Sequence, residues 1–423
     1  MAWLTGWTYR KKITTQFANV DALLSDFPLY VGFAADADLA SALATGYDVR
    51  FTQADGETLL KYERESWAGG GGSNVTADFW VKVPSVSAVA GTDIYVYWGK
   101  AGAADGQDAP NVWDAGFDAV YHMIDVTTST IADSTGVNNG TKKAANEPVE
   151  ATGKIAHGQS FDGSDDFIGV ASDYGTQLGG SFSAIIKRDS TGARYDTIFA
   201  KGGDDTKFFA IRIDGVHQNR LTVMRDIGNN AAYGSTDLTN TSVFYHVAVT
   251  SNGSAWLLYV NGVPETPTYG TSGNIGDWFG DTSPTNPSYN IGRNEYNGAT
   301  VAPFDGIIDE VRLSSSVRSA AWIKFEYHNI SEADNELSWG SVETAGITVT
   351  PAPVSATWSI VVPGTAKTTA AVPVVANWSV VVPGTAKTTA ATPVSATWSV
   401  VAPGTAKTTA ASPVSATWSI VVP

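Results

Sequence analysis

Short runs in which apolar and polar residues alternate, each closed by Gly, Asp or Pro, recur along this chain. A strand is the element whose side chains change face at every residue, so the pattern calls for β-structure. In the first hundred residues the runs are Tyr9-Arg10-Lys11-Lys12-Ile13-Thr14, Phe27-Pro28-Leu29-Tyr30-Val31-Gly32-Phe33, Asp48-Val49-Arg50-Phe51-Thr52, Phe79-Trp80-Val81-Lys82-Val83-Pro84 and Asp93-Ile94-Tyr95-Val96-Tyr97-Trp98. Gly69 to Gly72 reads as a loop tip, because four glycines anchor no packed segment. The 14 Trp, 16 Tyr and 16 Phe set against 42 Gly and 18 Pro suit short strands between turns better than long amphipathic helices. The expected fold class is all-β.

At 423 residues the chain is long enough for two or three domains. Its formal net charge of −16 sets aside a phosphate-backbone binder, whose affinity rests on Lys and Arg, so no nucleic-acid partner is expected. With no Cys there is neither a disulfide framework nor thiolate chemistry, which is compatible with assembly in a reducing cytoplasm. Met1-Ala2-Trp3-Leu4-Thr5-Gly6-Trp7 lacks a basic segment followed by an apolar run, so a signal peptide is not expected, and no stretch reads as a membrane span.

Three regions follow. Residues 1–112 form an expected N-terminal β-sandwich. Gly6-Trp7-x-Tyr9-Arg10, Asp48-Val49-Arg50-Phe51-x-x-Ala54-Asp55-Gly56, the stretch from Tyr62 to Trp67 and Ile94-Tyr95-Val96-Tyr97-Trp98-Gly99 resemble the uncharacterised β-domain that often precedes laminin-G-like modules in surface proteins. That resemblance implies a fold and no activity.

Residues 113–345 carry a second set of motifs. They are Ala119-Val120-Tyr121-His122-Met123, Ala132-Asp133-Ser134-Thr135-Gly136, Gly158-Gln159-Ser160-Phe161-Asp162-Gly163, Tyr245-His246-Val247-Ala248-Val249, Trp256-Leu257-Leu258-Tyr259-Val260-Asn261-Gly262, Asn290-Ile291-Gly292-Arg293 and Phe304-Asp305-Gly306-Ile307-Ile308-Asp309-Glu310-Val311. Their order resembles laminin-G-like domains of the concanavalin A type, which implies a two-sheet jelly roll. The residues agree: Asn261-Gly262 supplies two positions tolerant of positive φ for a hairpin turn. Strands of six to eight residues between polar turns suit packed sheets whose inner faces bury the aromatics. One short helix is expected at Ser319 to Asn329.

From residue 346 the composition changes. Glu343 is the last acidic residue, and a 20-residue repeat begins: Pro353 to Ala371 recurs from Pro373 and Pro393 and breaks off at Pro423 within a further copy. In each copy Val354, Ala356, Trp358, Ile360 and Val362, or their counterparts, form one apolar strand face, which a lone strand cannot bury. Stacked repeats, wrapping with identical chains into a trimeric fibre, and a Thr/Ala/Pro linker all remain open. The recurring Trp358, Trp378, Trp398 and Trp418 argue for a β-repeat stalk over a linker.

Glycosidase chemistry needs two carboxylates facing one cleft. Asp309 and Glu310 are adjacent, so in a regular strand they point to opposite faces and make no catalytic pair. Calcium needs six or more oxygens gathered from loops. The loop from Asp133 to Gly140 offers several, Asn138 among them, and pairing of first and last strands would bring Asp309 to Asp133. Laminin-G-like domains often hold calcium in loops, so the resemblance points the same way. The alternative is that these side chains fix turns. For glycan binding, Trp278, Tyr289, Asn294 and Tyr296 in the Gly- and Pro-rich segment from Tyr269 to Pro303 are the candidates, against the alternative that such rings cover the sandwich edge.

The reading expected from all this is a non-catalytic structural and adhesion protein of a virion surface, such as a phage fibre, tail or head-decoration protein. Its partners would be other virion proteins and a host-surface glycan. A cell-surface adhesin lacking its leader is the alternative, and a polysaccharide-active enzyme a third.

Overall fold

The computed structural model describes residues 2–345 apart from 114–115, 171–173, 175, 204–206, 227–229, 271–274, 298 and 333–334. The repeats from 346 onward, and with them the stalk, lie outside the described residues. Nearly every element is a strand, as the alternation requires.

The first sandwich faces a five-stranded sheet against a three-stranded one. The five-stranded sheet runs Leu337–Thr344, Tyr9–Thr15, Asp93–Trp98, Arg50–Gln53, Leu59–Leu60, and the three-stranded sheet runs Leu24–Asp36, Ser73–Val86, Tyr62–Gly70. Their inner faces meet in a core containing Ile13, Leu29, Val31, Phe51, Phe79, Val81, Ile94, Val96 and Trp98, the residues that the period-two pattern puts on one side of each strand. Gly71 and Gly72, both at positive φ, turn the hairpin between Tyr62–Gly70 and Ser73–Val86.

The second sandwich is a jelly roll of a ten-stranded and an eight-stranded sheet. Phe161, Phe182, Phe199, Phe209, Val247, Trp256 and Ile291 lie in its core. Asn261 (φ 51°) and Gly262 (φ 72°) close the hairpin between Trp256–Val260 and Val263–Pro264, the turn the dipeptide predicts.

The helix spans Ala320–Ser331, with the Ser319 hydroxyl accepting from the Trp322 amide at 3.2 Å as its N-cap. Although it follows the jelly roll in sequence, its apolar side joins the core of the first sandwich. Trp322 and Phe325 pack on Phe27, with ring centroids 4.8 and 5.1 Å away. Asn329 donates to the Tyr30 carbonyl and accepts from the Tyr30 amide, so a side chain completes the edge of the Leu24–Asp36 strand. Residues up to Thr344 accordingly form one compact unit.

The sequence division places residues 337–345 with the jelly roll. The Leu337–Thr344 strand instead pairs along Tyr9–Thr15, from Tyr9 opposite Thr344 to Thr15 opposite Leu337. Phe33 packs on Trp339 at 5.1 Å, and Arg10 is 2.6 Å from the Glu343 carboxylate. A chain ending at Glu336 leaves the Tyr9–Thr15 edge and Phe33 uncovered. We expect thermal unfolding of that chain to begin well below that of a chain ending at Ala345; equal midpoints would refute this role for the last strand.

Candidate functional site

The sequence candidates for metal binding occupy different surroundings. Asp133 ties its own turn to the Phe117–Tyr121 strand: Oδ1 accepts from the Val120 and Thr135 amides, and Oδ2 from the Thr135 hydroxyl and the Asn138 amide. This is the turn-fixing role. The Asn138 carbonyl accepts from the Tyr121 hydroxyl at 2.6 Å. Asp309 accepts from the Lys154 and Ile155 amides through Oδ2. Three groups of His, Asp and Glu place donor atoms within 4.8 Å of one another among the described residues, and neither Asp133 nor Asp309 is in them.

Of the glycan candidates, Trp278 and Tyr289 lie in the jelly-roll core. Trp278 packs against Phe209 and Phe279, and Tyr289 against Tyr174 at 5.1 Å, so neither ring presents a face to a sugar. Segment composition cannot report this, because the burial comes from residues far away in sequence. Asn294 is buried and Tyr296 half-buried, on the hairpin of Asn294–Tyr296 with Ala299–Val301.

Asp309 and Glu310 contradict the expectation of opposite faces. Between Ser183 and Ile185 the register slips, so that Glu310 and Val311 stand opposite one residue of the Gly180–Arg188 strand, and Glu310 takes φ 50°. This bulge turns Asp309 and Glu310 both away from the jelly-roll core, which Ile308, Val311 and Leu313 enter. The spacing of those three apolar residues, three then two, is the sequence signal of the slip.

Both carboxylates enter a buried cluster under the first sandwich. His122, which follows the Phe117–Tyr121 strand, places Nδ1 2.6 Å from Glu310 and 3.5 Å from Glu65, and Nε2 3.3 Å from Glu63. Glu63 and Glu65 come from the Tyr62–Gly70 strand and share its face, a two-residue spacing visible in the sequence. Glu63 also accepts from Trp113 Nε1 and the Ser134 hydroxyl, and Glu65 from Trp80 Nε1. Arg312 donates to Glu310 at 2.6 Å and to Glu326 of the helix at 2.8 Å, while its guanidinium lies 4.3 Å over the Trp80 ring.

Burial opposes charge throughout the cluster, and ion pairing decides which groups stay charged. At His122 burial is outweighed by Glu310, Glu63 and Glu65, which hold the imidazolium well above its ordinary range. Glu310 is held low against burial by His122 and Arg312, and Glu63 by His122 and its hydrogen bonds to His122, Ser134 and Trp113. At Glu65 and Asp309 burial wins, reinforced by Glu310, and both are pushed well up. Cleft catalysis is poorly served by this pair, since Asp309 and Glu310 are 0% and 2% exposed.

A different surface is the outer face of the ten-stranded sheet, where Tyr195, His217 and Asp237 are exposed, Arg220 and Tyr233 half-buried, and Thr197, Arg212, Asp214 and Thr222 buried beneath them. Thr197, Arg212, Thr222 and Tyr233 are successive cross-strand neighbours, beside a second row of Tyr195, Asp214, Arg220 and Asp237. Their strand neighbours Ile211, Ile213, Leu221, Val223 and Ala232 point the other way into the core. The Arg212 guanidinium lies 3.9 Å over the exposed Tyr195 ring and pairs with Asp214 at 3.1 Å. His217 pairs with Asp214 at 3.1 Å and stacks on Tyr233 with centroids 4.0 Å apart.

Residues 162–324 match the family model of the Concanavalin A-like lectin/glucanases superfamily, in its laminin-G form. With the two-sheet topology, this makes the second sandwich a concanavalin A-like domain. Residues 45–135 match a domain of unknown function, DUF2341, so the chain carries an N-terminal DUF2341 domain joined to a laminin-G-like one. Glu63, Glu65, Trp80, Trp113 and His122 fall in one match, and Asp309, Glu310 and Arg312 in the other. No curated protein matches the chain.

Solved structures with some likeness include the CBM40 of the Ruminococcus gnavus IT-sialidase bound to alpha2,3 sialyllactose (14% identity, 34% of this chain and 80% of that one, TM-score 0.29). Another is domain 4 of AbnA, a GH43 extracellular arabinanase from Geobacillus stearothermophilus, in complex with arabinotriose (20%, 52% and 100%, TM-score 0.40). A third is the Trypanosoma rangeli sialidase (12%, 66% and 43%, TM-score 0.37).

The pairing of Glu326 makes stability pH-dependent. Against burial, Arg312 and His246 hold Glu326 at about 2, below its ordinary value of 4.5. A depressed folded value contributes stability that is full above 4.5 and is lost as pH falls through 2. Glu326→Gln should cost on the order of 3 kcal/mol at pH 7 by urea unfolding. The gap from wild type should narrow as pH falls from 4.5 toward 2; a gap independent of pH would contradict the pairing.

Proposed function

We propose that this chain is a non-catalytic attachment protein whose concanavalin A-like domain holds a glycan on the outer face of its ten-stranded sheet. The observation that carries the reading is the patch of Tyr195, His217, Arg220, Tyr233 and Asp237, set over buried Arg212 and Asp214. Sugars are bound by ring faces that cover their C–H surfaces and by fixed polar groups that pair with their hydroxyls. Tyr195 and Tyr233 supply the first, and His217, Arg220 and Asp237 the second, across adjoining strands, while buried Asp214 holds Arg212 and His217 in place. The non-catalytic character is supported by the burial of the adjacent carboxylates Asp309 and Glu310.

The finer reading places the protein on a virion surface as a fibre, tail or decoration component that meets a host-surface glycan, with its repeats joining copies into an oligomer such as a trimer. A chain without Cys and a fixed-period apolar repeat support it. Its partners would be other virion proteins.

Two measurements test the proposal. On a glycan panel, Tyr195→Ala with Tyr233→Ala should weaken the tightest glycan at least tenfold, ~1.4 kcal/mol, with unfolding midpoints unchanged. Wild-type affinity in the double variant would sink the assignment of this face. In solution, mass measurement should find an oligomer for the full chain and a monomer once residues 346–423 are removed; a monomeric full chain would sink the stalk.

A further inference from the structure

The cluster around His122 gathers more buried carboxyl groups than its buried cations can pair. Glu63, Glu65, Asp309 and Glu310 stand about one imidazole and one guanidinium, and Arg312 is shared with Glu326. Buried carboxylates are tolerated when paired or when they coordinate a metal. Two of these four are incompletely satisfied: Glu65 Oε1 and Asp309 Oδ1 are buried with no hydrogen-bond partner among the described residues. Glu65 is fully buried, and its other oxygen stands 3.5 Å from His122 Nδ1, so the unpartnered atom belongs to a carboxylate already inside the cluster.

The remaining geometry resembles a ligand set. Glu65, His122 and Glu310 each place a donor atom within 4.8 Å of the others. Nδ1 faces Glu310 and Glu65, while Nε2 faces Glu63, which Trp113 and Ser134 hold in place. Metal-bound histidines characteristically give their second nitrogen to a carboxylate of this kind, which fixes the ring and its tautomer. Arg312 and Trp80 hold the Glu310 and Glu65 carboxylates in the same manner.

We propose that Glu65, His122 and Glu310 bind one divalent transition-metal ion of the zinc class and so tie the two sandwiches together. An imidazole with carboxylates is a borderline donor set that suits zinc better than calcium, which takes oxygen ligands alone; on loading, the metal takes the place of the His122 Nδ1 proton and the Glu65 carboxyl proton, which leave to solvent. Metal–ligand bonds of about 2.0–2.2 Å at tetrahedral angles separate ligand atoms by roughly 3.4 Å. The Glu65 to His122 distance already meets this, and Glu310, at 2.6 Å, moves outward by somewhat less than 1 Å on loading.

Because the site is enclosed, loading is tested through refolding. The full chain is unfolded in urea with EDTA, refolded with Zn2+ or in metal-free buffer, desalted and analysed for metal and thermal midpoint. The expected result is one zinc per chain and a midpoint raised by zinc. His328→Gln, which alters the surface group of His328, Glu332 and Glu336, should leave both unchanged. Glu65→Gln keeps the side-chain shape and should lose both the zinc and the zinc-dependent rise. Wild type that refolds but retains no zinc, or Glu65→Gln that retains as much as wild type, overturns the proposal. Should Glu65→Gln fail to refold, Glu63→Gln decides: it should weaken zinc binding by about 10- to 100-fold, and unaltered affinity overturns the site.

Discussion

The buried imidazole of His122, with Glu63 and Glu65 on one side and Glu310 on the other, is the contact on which the arrangement of this protein depends. Removing one partner of a buried ion pair costs about 3–5 kcal/mol, because the other charge is left in an apolar medium. The partners here come from both sandwiches, so separating them would strand charges on each. The helix acts in the same sense, bringing Glu326 to Arg312, Phe325 to Phe27 and Asn329 to the Tyr30 backbone.

That contact also determines which surface is free. The outer face of the eight-stranded sheet is taken up by the helix and the first sandwich: Ala248 and Tyr259 join the first sandwich's core, and Ser183 and Arg312 reach Glu326. The ten-stranded sheet keeps an outer face on which Tyr195 and His217 are exposed. Attachment through that face and union through the other are therefore compatible.

Much of the fold was legible in the sequence because strand alternation, the Asn261-Gly262 turn and the Ser319 cap are local signals. The family motifs from Ala119 to Val311 placed the concanavalin A-like domain for the same reason, and the family model matches residues 162–324. The pairing of Leu337–Thr344 with Tyr9–Thr15 was not legible, since it joins residues more than 300 apart and no local pattern names a distant partner. Nor was the burial of Trp278 and Tyr289, whose Gly- and Pro-rich neighbourhood reads as an exposed loop. At Asp309-Glu310 the assumption of a regular strand failed, although the spacing of Ile308, Val311 and Leu313 already showed the phase slip. The cluster itself left a partial trace, in that Glu63 and Glu65 share a strand face; their closure on His122 belongs to tertiary packing.

The union of the two sandwiches through this network is the central claim, and scanning calorimetry of a chain ending at Ala345 tests it directly. One endotherm, with calorimetric and van't Hoff enthalpies in agreement, is the predicted result. Two separate endotherms, one for each sandwich, would contradict it.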